Sequence, residues 1–149
     1  MEIRSVYADL PDSARYAGFW IRVFANVLDV LLLEAVNMAL ALAVGGVESG
    51  AGRIDPRLAL FAVVFPPVAI IGSWIALGAS PGKLMLRLRI VDEPTGGRPT
   101  AWQCIGRYLM ALVSILCAGL GFFWIVIDPR KQGWHDKIVR TLVVRDRPR

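Results

Sequence analysis

Histidine occurs once in this chain of 149 residues, and cysteine only twice. Cys104 and Cys117 show no C-x-x-C spacing, and His135 has no second histidine to work with. Neither a zinc centre nor a redox pair is indicated, and no cofactor is called for. Charge is also scarce: Asp, Glu, Lys and Arg make up 19% of the chain, against 56% hydrophobic residues. That balance excludes a disordered chain, which needs low hydrophobicity and high charge. It also argues against an ordinary soluble domain, because so small a protein cannot hide that much apolar surface from water. Acidic residues are the scarcer sign, 12 against 17 basic ones, which leaves a net charge of +5. Internal repeats and low-complexity tracts are absent.

The apolar residues concentrate in three segments, Gly18 to Val44, Leu58 to Ala79 and Ala101 to Ile127. Each is long enough for a bilayer, since about 20 helical residues cross a hydrocarbon core of about 30 Å. The second carries no charge at all. Its Pro66-Pro67 pair removes backbone donors and predicts a kink. Residues 1–17 contain Glu2, Asp9 and Asp12 beside Arg4 and Arg15, and the apolar run that follows exceeds the core of a cleavable signal. The expected protein is therefore an all-α membrane protein. Residues 1–17 form a cytoplasmic N-terminal segment, 18–145 the transmembrane domain and 146–149 a basic tail.

Positive charge near membrane ends prefers the cytoplasm. The loop from Gly45 to Arg57 is neutral, whereas 80–100 carries Lys83, Arg87, Arg89 and Arg98, and the tail after Asp128 carries seven Lys and Arg. Three plain crossings strand one of these basic stretches on the wrong side. If residues 101–127 enter and return, every basic stretch is cytoplasmic. That span is too short for two full crossings, which need about 40 residues. It would have to be re-entrant or broken near Ala118-Gly119-Leu120-Gly121; a single span after a short interfacial helix is the alternative. The run Leu84 to Val91, followed by Pro94 and Gly96-Gly97, reads as strand and turn, and Thr141 to Arg145 is a second β-prone run. The two can pair only if they share a side of the membrane. The basic excess is thus explained by topology and anionic headgroups, without nucleic acid.

Arg22, Asn26, Asp29 and Asn37 interrupt the first apolar segment within an arc of about 80° of a helix, with Glu34 off that stripe. An ionised residue at a helix centre in lipid costs about 2.5 to 3.5 kcal/mol, so Asp29 is not expected to face lipid. Arg22 and Asp29 lie about 10 Å apart along the axis, too far for a comfortable direct pair, so a partner from another segment is expected. Two readings stand: a polar pathway in which Asp29 binds or relays a cation or proton, or a structural arrangement in which Arg22 reaches the headgroups and Asp29 is neutralised by a buried partner. Beyond the third segment, Asp128 marks the membrane boundary. Trp134-His135-Asp136 reads as an interfacial anchor and solvated turn. No nucleophile is visibly paired with His135, so no enzymatic role is expected.

Three stretches together resemble the RDD family of small bacterial membrane proteins. They are Ala17-Gly18-Phe19-Trp20-Ile21-Arg22 running on to Asp29; Ser80-Pro81-Gly82-Lys83 with Leu88 to Asp92; and Phe123-Trp124, Asp128, Gln132 to Lys137 and Thr141 to Val144. The resemblance maps the family's Arg and two Asp onto Arg22, Asp29 and Asp136, with Asp128 competing for the last place. It adds Pro81, Gly82, Lys83 and His135 as a cytoplasmic motif. It implies about three membrane segments, the third re-entrant or broken, with a short β-like cytoplasmic pair. The implied location is the cell (inner) membrane, multi-pass, with the N-terminus cytoplasmic. The implied function is cation/proton transport by a homo-oligomer, or a scaffold that assembles with another membrane protein.

Overall fold

A computed structural model describes residues 16–43 and 56–145. Most of the N-terminal segment, the neutral loop and the basic tail lie outside the described residues. Two helices account for the first two apolar segments: α1 (Phe19–Ala43) and α2 (Pro56–Leu77). Both are long and apolar enough to cross a membrane. α2 continues through Pro66 and Pro67 as one helix. It ends at Gly78, whose φ of 70° lets its N–H fold back to the Trp74 carbonyl at 2.9 Å.

A short helix, α3 (Pro81–Met85), follows, with proline pre-set at its start, and then β1 (Leu88–Asp92). The β-prone run therefore begins later than its composition suggests, because Pro81 initiates a helical turn that takes in Leu84 and Met85. Next come α4 (Ala101–Leu116) and α5 (Leu120–Ile127), then α6 (Trp134–Ile138) and β2 (Thr141–Arg145). β1 and β2 pair antiparallel, from Leu88 opposite Arg145 to Asp92 opposite Thr141. The start of α1 is tied to the same sheet, with Ala17 N–H donating to Val143 O at 2.9 Å and Tyr16 bridging to Val144.

The third apolar segment is not one helix. α4 and α5 meet at 101°, and the corner is made by Ala118 and Gly119, with φ of 54° and 77°. Gly119 takes that region freely, having no Cβ, and Ala118 is held in it by the turn. Gly121 then fits against Ser114, whose Oγ would collide with any added Cβ. Both ends of the bent pair return to one place. Thr100 and Gln103 form a capping box on α4. The Gln103 amide reaches across to Asp92 Oδ1 at 2.7 Å and to Val139 O at 3.1 Å. Glu93 and Arg130 pair at 2.5 Å outside it. The third segment is thus a bent pair of helices broken at Ala118-Gly119, not one straight helix.

A small core sits at this end: Ala17, Ala25, Trp74, Leu88, Ile90, Cys104 and Val143. Away from it, α1 and α2 expose apolar side chains such as Leu42 and Val63, as helices in hydrocarbon do. The chain is thus an all-α membrane fold carrying one two-stranded sheet, and the sheet pairing carries a topological consequence. With Cys104 and Cys117 replaced by Ser, single cysteines at Pro94 and at Arg145 should react with an impermeant maleimide from the same side of the membrane. Labelling from opposite sides would require the sheet to be absent in the bilayer.

Candidate functional site

The inner face of α1 near the core is polar where it should be apolar: Arg22 and Asp29 are both buried, as is Ala25 between them. They do not pair with each other. Each anchors a separate cluster, and Trp74 lies close to a cation of both.

The first cluster is built on Asp29. The turn Ser80-Pro81-Gly82 comes so close to α1 that a Cβ on Gly82 would run into the Ala25 carbonyl and lie 2.9 Å from the Asp29 nitrogen. At that distance the Gly82 N–H donates to Asp29 Oδ1 at 2.7 Å, and the Ser80 hydroxyl donates to Oδ2 at 2.5 Å. Asp29 thereby caps α3 from another helix, since Ser80 makes no cap bond to its own. Lys83 points into the same space. Its ammonium donates to Asn26 Oδ1 at 2.8 Å and to Ser80 Oγ at 3.2 Å, and stands 3.8 Å from Asp29 Oδ2. Burial pushes the Lys83 amine down to about 8, and the Arg107 charge adds to the effect; Asp29 opposes it. Asn26 is exposed at the side of α1, while Asp29, Ser80 and Lys83 are buried.

The second cluster centres on Asp136, which is 0% exposed. Arg22 Nη1 donates to its Oδ2 at 2.5 Å, and Arg107 Nη1 stands 2.6 Å from its Oδ1. Arg22 is spent further on the carbonyls of Ala17 (2.9 Å) and Lys131 (2.6 Å), and Arg107 on Thr141 Oγ1 (3.0 Å). Burial alone would raise the Asp136 carboxyl, but the charges of Arg107 and Arg22 outweigh it and hold the group well below the usual carboxylate range. His135 is buried beside it, 3.6 Å from Oδ1. Burial pushes the imidazole down to about 4 against the pull of Asp136, and the neighbouring cations Arg107, Arg22 and Lys83 reinforce the shift. Trp74 joins the clusters, with Lys83 and Arg107 each about a ring's reach from its centroid, 5.6 and 5.5 Å.

Several sequence expectations change here. The turn at His135-Asp136 is buried, not solvated, because Asp136 is the counter-ion of two guanidiniums. Arg22 does not reach out to headgroups; the same carboxylate holds it. Asp128 lies apart from both clusters, paired with Lys137 and accepting from the N–H groups of Arg130 and Gln132. Burial would raise it, but Lys137 and those N–H groups keep it low. Arg107 is the residue sequence reasoning missed. A lone cation inside the third apolar segment was the available signal. Among the described residues no group of three or more His, Cys, Asp and Glu is arranged for a metal ion.

Two outcomes follow. Asp136→Asn strands two buried guanidiniums and should cost about 3–5 kcal/mol, seen as a large drop in thermal midpoint in detergent. Asp128→Asn, whose partner Lys137 is 42% exposed, should cost about 1 kcal/mol or less; equal effects would contradict the division into buried cluster and rim. His135 binds its proton less readily folded than unfolded, so stability should fall as the pH drops from about 6.5 to about 4. His135→Gln should flatten that part of the profile, and an unchanged slope would show that another group causes it.

The RDD family model matches residues 16–140, which takes in both clusters. The chain is 36% identical over 72 residues to the uncharacterised protein RP437 of Rickettsia prowazekii, a stretch of 48% of this chain and 39% of that protein. This chain therefore matches less than half the length of that relative. It is 30% identical over 147 residues to the uncharacterised protein YxaI of Bacillus subtilis, covering 86% of this chain and 96% of that one. With a family-model match over residues 16–140, a stretch that includes Arg22, Asp29 and Asp136, the chain belongs to the RDD family.

Proposed function

We propose that the protein is a multi-pass transporter of the cell membrane that exchanges a small monovalent cation for a proton at the Asp29–Lys83 pair. The observation that carries this reading is the setting of the Lys83 ammonium. It is buried among three side-chain oxygens, those of Asn26, Ser80 and Asp29, which is a donor set suited to a hard cation. An ammonium with its pKa near 8 releases its proton within reach of ordinary pH. Once neutral, Lys83 no longer balances Asp29, and a small cation entering past Asn26 replaces the lost charge. Proton and cation then compete for one carboxylate, which is the minimum an exchanger requires.

The cluster at Asp136 has a different part. Its two guanidiniums are fully committed to fixed partners, so it holds α1, α4 and α6 together while the Lys83 site changes its charge. The basic stretches share the sheet's side, and positive charge prefers the cytoplasm. That side is therefore assigned as cytoplasmic, N-terminus included, with anionic headgroups as contacts of the exposed Lys and Arg. Two spanning helices and a bent pair are too few to enclose a pathway, so the working unit is a homo-oligomer. The second reading, a scaffold for another membrane protein, draws on the same Asp136 ties, which suit a rigid docking element; no enzymatic step is assigned.

Counterflow and pH-gradient assays in proteoliposomes test this. Asp29→Asn should abolish cation-dependent proton movement. Lys83→Arg, which places a permanent charge in the site, should reduce it by about tenfold or more. Wild-type flux should rise with pH around 8. Full flux in both variants would remove the exchange mechanism and leave the scaffold reading.

A further inference from the structure

α1 carries one ionisable residue that neither cluster uses. Glu34 lies twelve residues beyond Arg22, about 18 Å further along the axis, which is close to mid-bilayer if Arg22 marks the membrane edge. It is exposed, and among the described residues none reaches its carboxyl. One turn on, Asn37 is half-buried, and its Oδ1 is turned inward without a hydrogen-bond partner. A carboxyl on the surface of a membrane helix at that depth is costly unless something in the bilayer pairs with it.

The residues around Glu34 have a spacing of their own. Val27, Val30, Glu34, Asn37 and Ala41 follow one another at intervals of three, four, three and four, the a/d seam of a left-handed helix pair. Val27 and Val30 are 48% and 57% exposed and Glu34 is exposed, so the described residues leave the first three positions of this seam uncovered. Polar residues at seam positions fix register and partner number in such pairs, and hydrogen-bonding side chains hold membrane helices together. We infer that this seam is the contact between two copies of the chain, packed α1 on α1 in parallel, with Glu34 of each copy hydrogen-bonded to the Asn37 amide of the other.

A second copy is favoured because the seam is complementary to itself. All copies insert in one orientation, so a two-fold axis along the membrane normal brings the same stripe to both sides. Glu34 and Asn37, one turn apart, then meet twice: a carboxyl oxygen accepts from the amide NH2 at each crossing. A protonated carboxyl serves as well as an ionised one, so no buried charge is needed. The half-buried Ala41 lets the backbones approach above this pair.

Oxidative cross-linking in native membranes tests the inference, with Cys104→Ser and Cys117→Ser as the background. Val30→Cys and Ala41→Cys should form disulfide-linked dimers, because a disulfide needs Cα atoms within about 7 Å. Leu32→Cys and Ala39→Cys, on the opposite face, should not. In the Val30→Cys background, Glu34→Gln should keep the dimer, since an amide still pairs with Asn37. Glu34→Leu should reduce it about threefold or more. Dimers at all four positions, none at Val30 and Ala41, or an unchanged yield with Glu34→Leu would each overturn it. Glu34 lies far from the core, so thermal midpoints of the Gln and Leu variants should match that of the parent and separate lost association from lost folding.

Discussion

One buried carboxylate holds this structure together. Asp136 receives Arg22 from α1 at 2.5 Å and Arg107 from α4 at 2.6 Å while sitting on α6. Each guanidinium would be prohibitively placed alone at that depth, and the carboxylate would be equally so. Paired, they fix three elements that are distant in the chain. The meeting of α4 with α6, the pairing of β1 with β2 and the docking of the chain before α1 on the sheet all accompany this anchor. A buried ion pair of this kind adds little net stability over an apolar replacement, but it specifies which elements meet. That role is consistent with the rest of the chain, where α1 and α2 offer few constraints of their own.

The Asp136 anchor leaves the cluster at Asp29 in a distinct electrostatic setting. Three buried cations, Arg22, Lys83 and Arg107, face two buried carboxylates, Asp29 and Asp136. Both arginines are permanently charged, so any adjustment falls on Lys83 and His135. His135 stays neutral, and Lys83 is weakened as a base without being silenced. The surplus of positive charge therefore falls on the one amine that lies among oxygens and next to an exposed asparagine. The two buried acids thus differ in setting: Asp136 is held by two arginines, and Asp29 by Ser80, the Gly82 N–H and the nearby Lys83.

Much of this architecture was legible in the residues. Segment lengths set α1 and α2 to within a residue or two at each end, and the failure of plain crossings to place both basic stretches pointed to a third segment that is not one straight helix. Ala118-Gly119 marked the corner because glycine permits it. The stripe Arg22–Asn26–Asp29 marked the polar face of α1, and the need for an external partner to Asp29 followed from a 10 Å separation. What was not legible was the identity of the partners. Periodicity describes one helix at a time, whereas Arg22 meets Asp136 across 114 residues of sequence and Asp29 meets Gly82 across 53. Arg107 was hidden for the same reason, as a lone cation in an apolar run whose counter-ion comes from elsewhere. The His135 turn looked solvated because its own neighbours are polar, and only tertiary packing buries it.

In the proposed exchange, a proton on Lys83 and a small cation compete for Asp29. The most direct measurement is an NMR titration of the Lys83 side-chain nitrogen, with the protein in lipid nanodiscs and a range of sodium or potassium concentrations. The expected midpoint lies near pH 8 and moves to lower pH as the cation concentration rises, and in Asp29→Asn it is indifferent to cation. A Lys83 that titrates at the same pH at every cation concentration would contradict it.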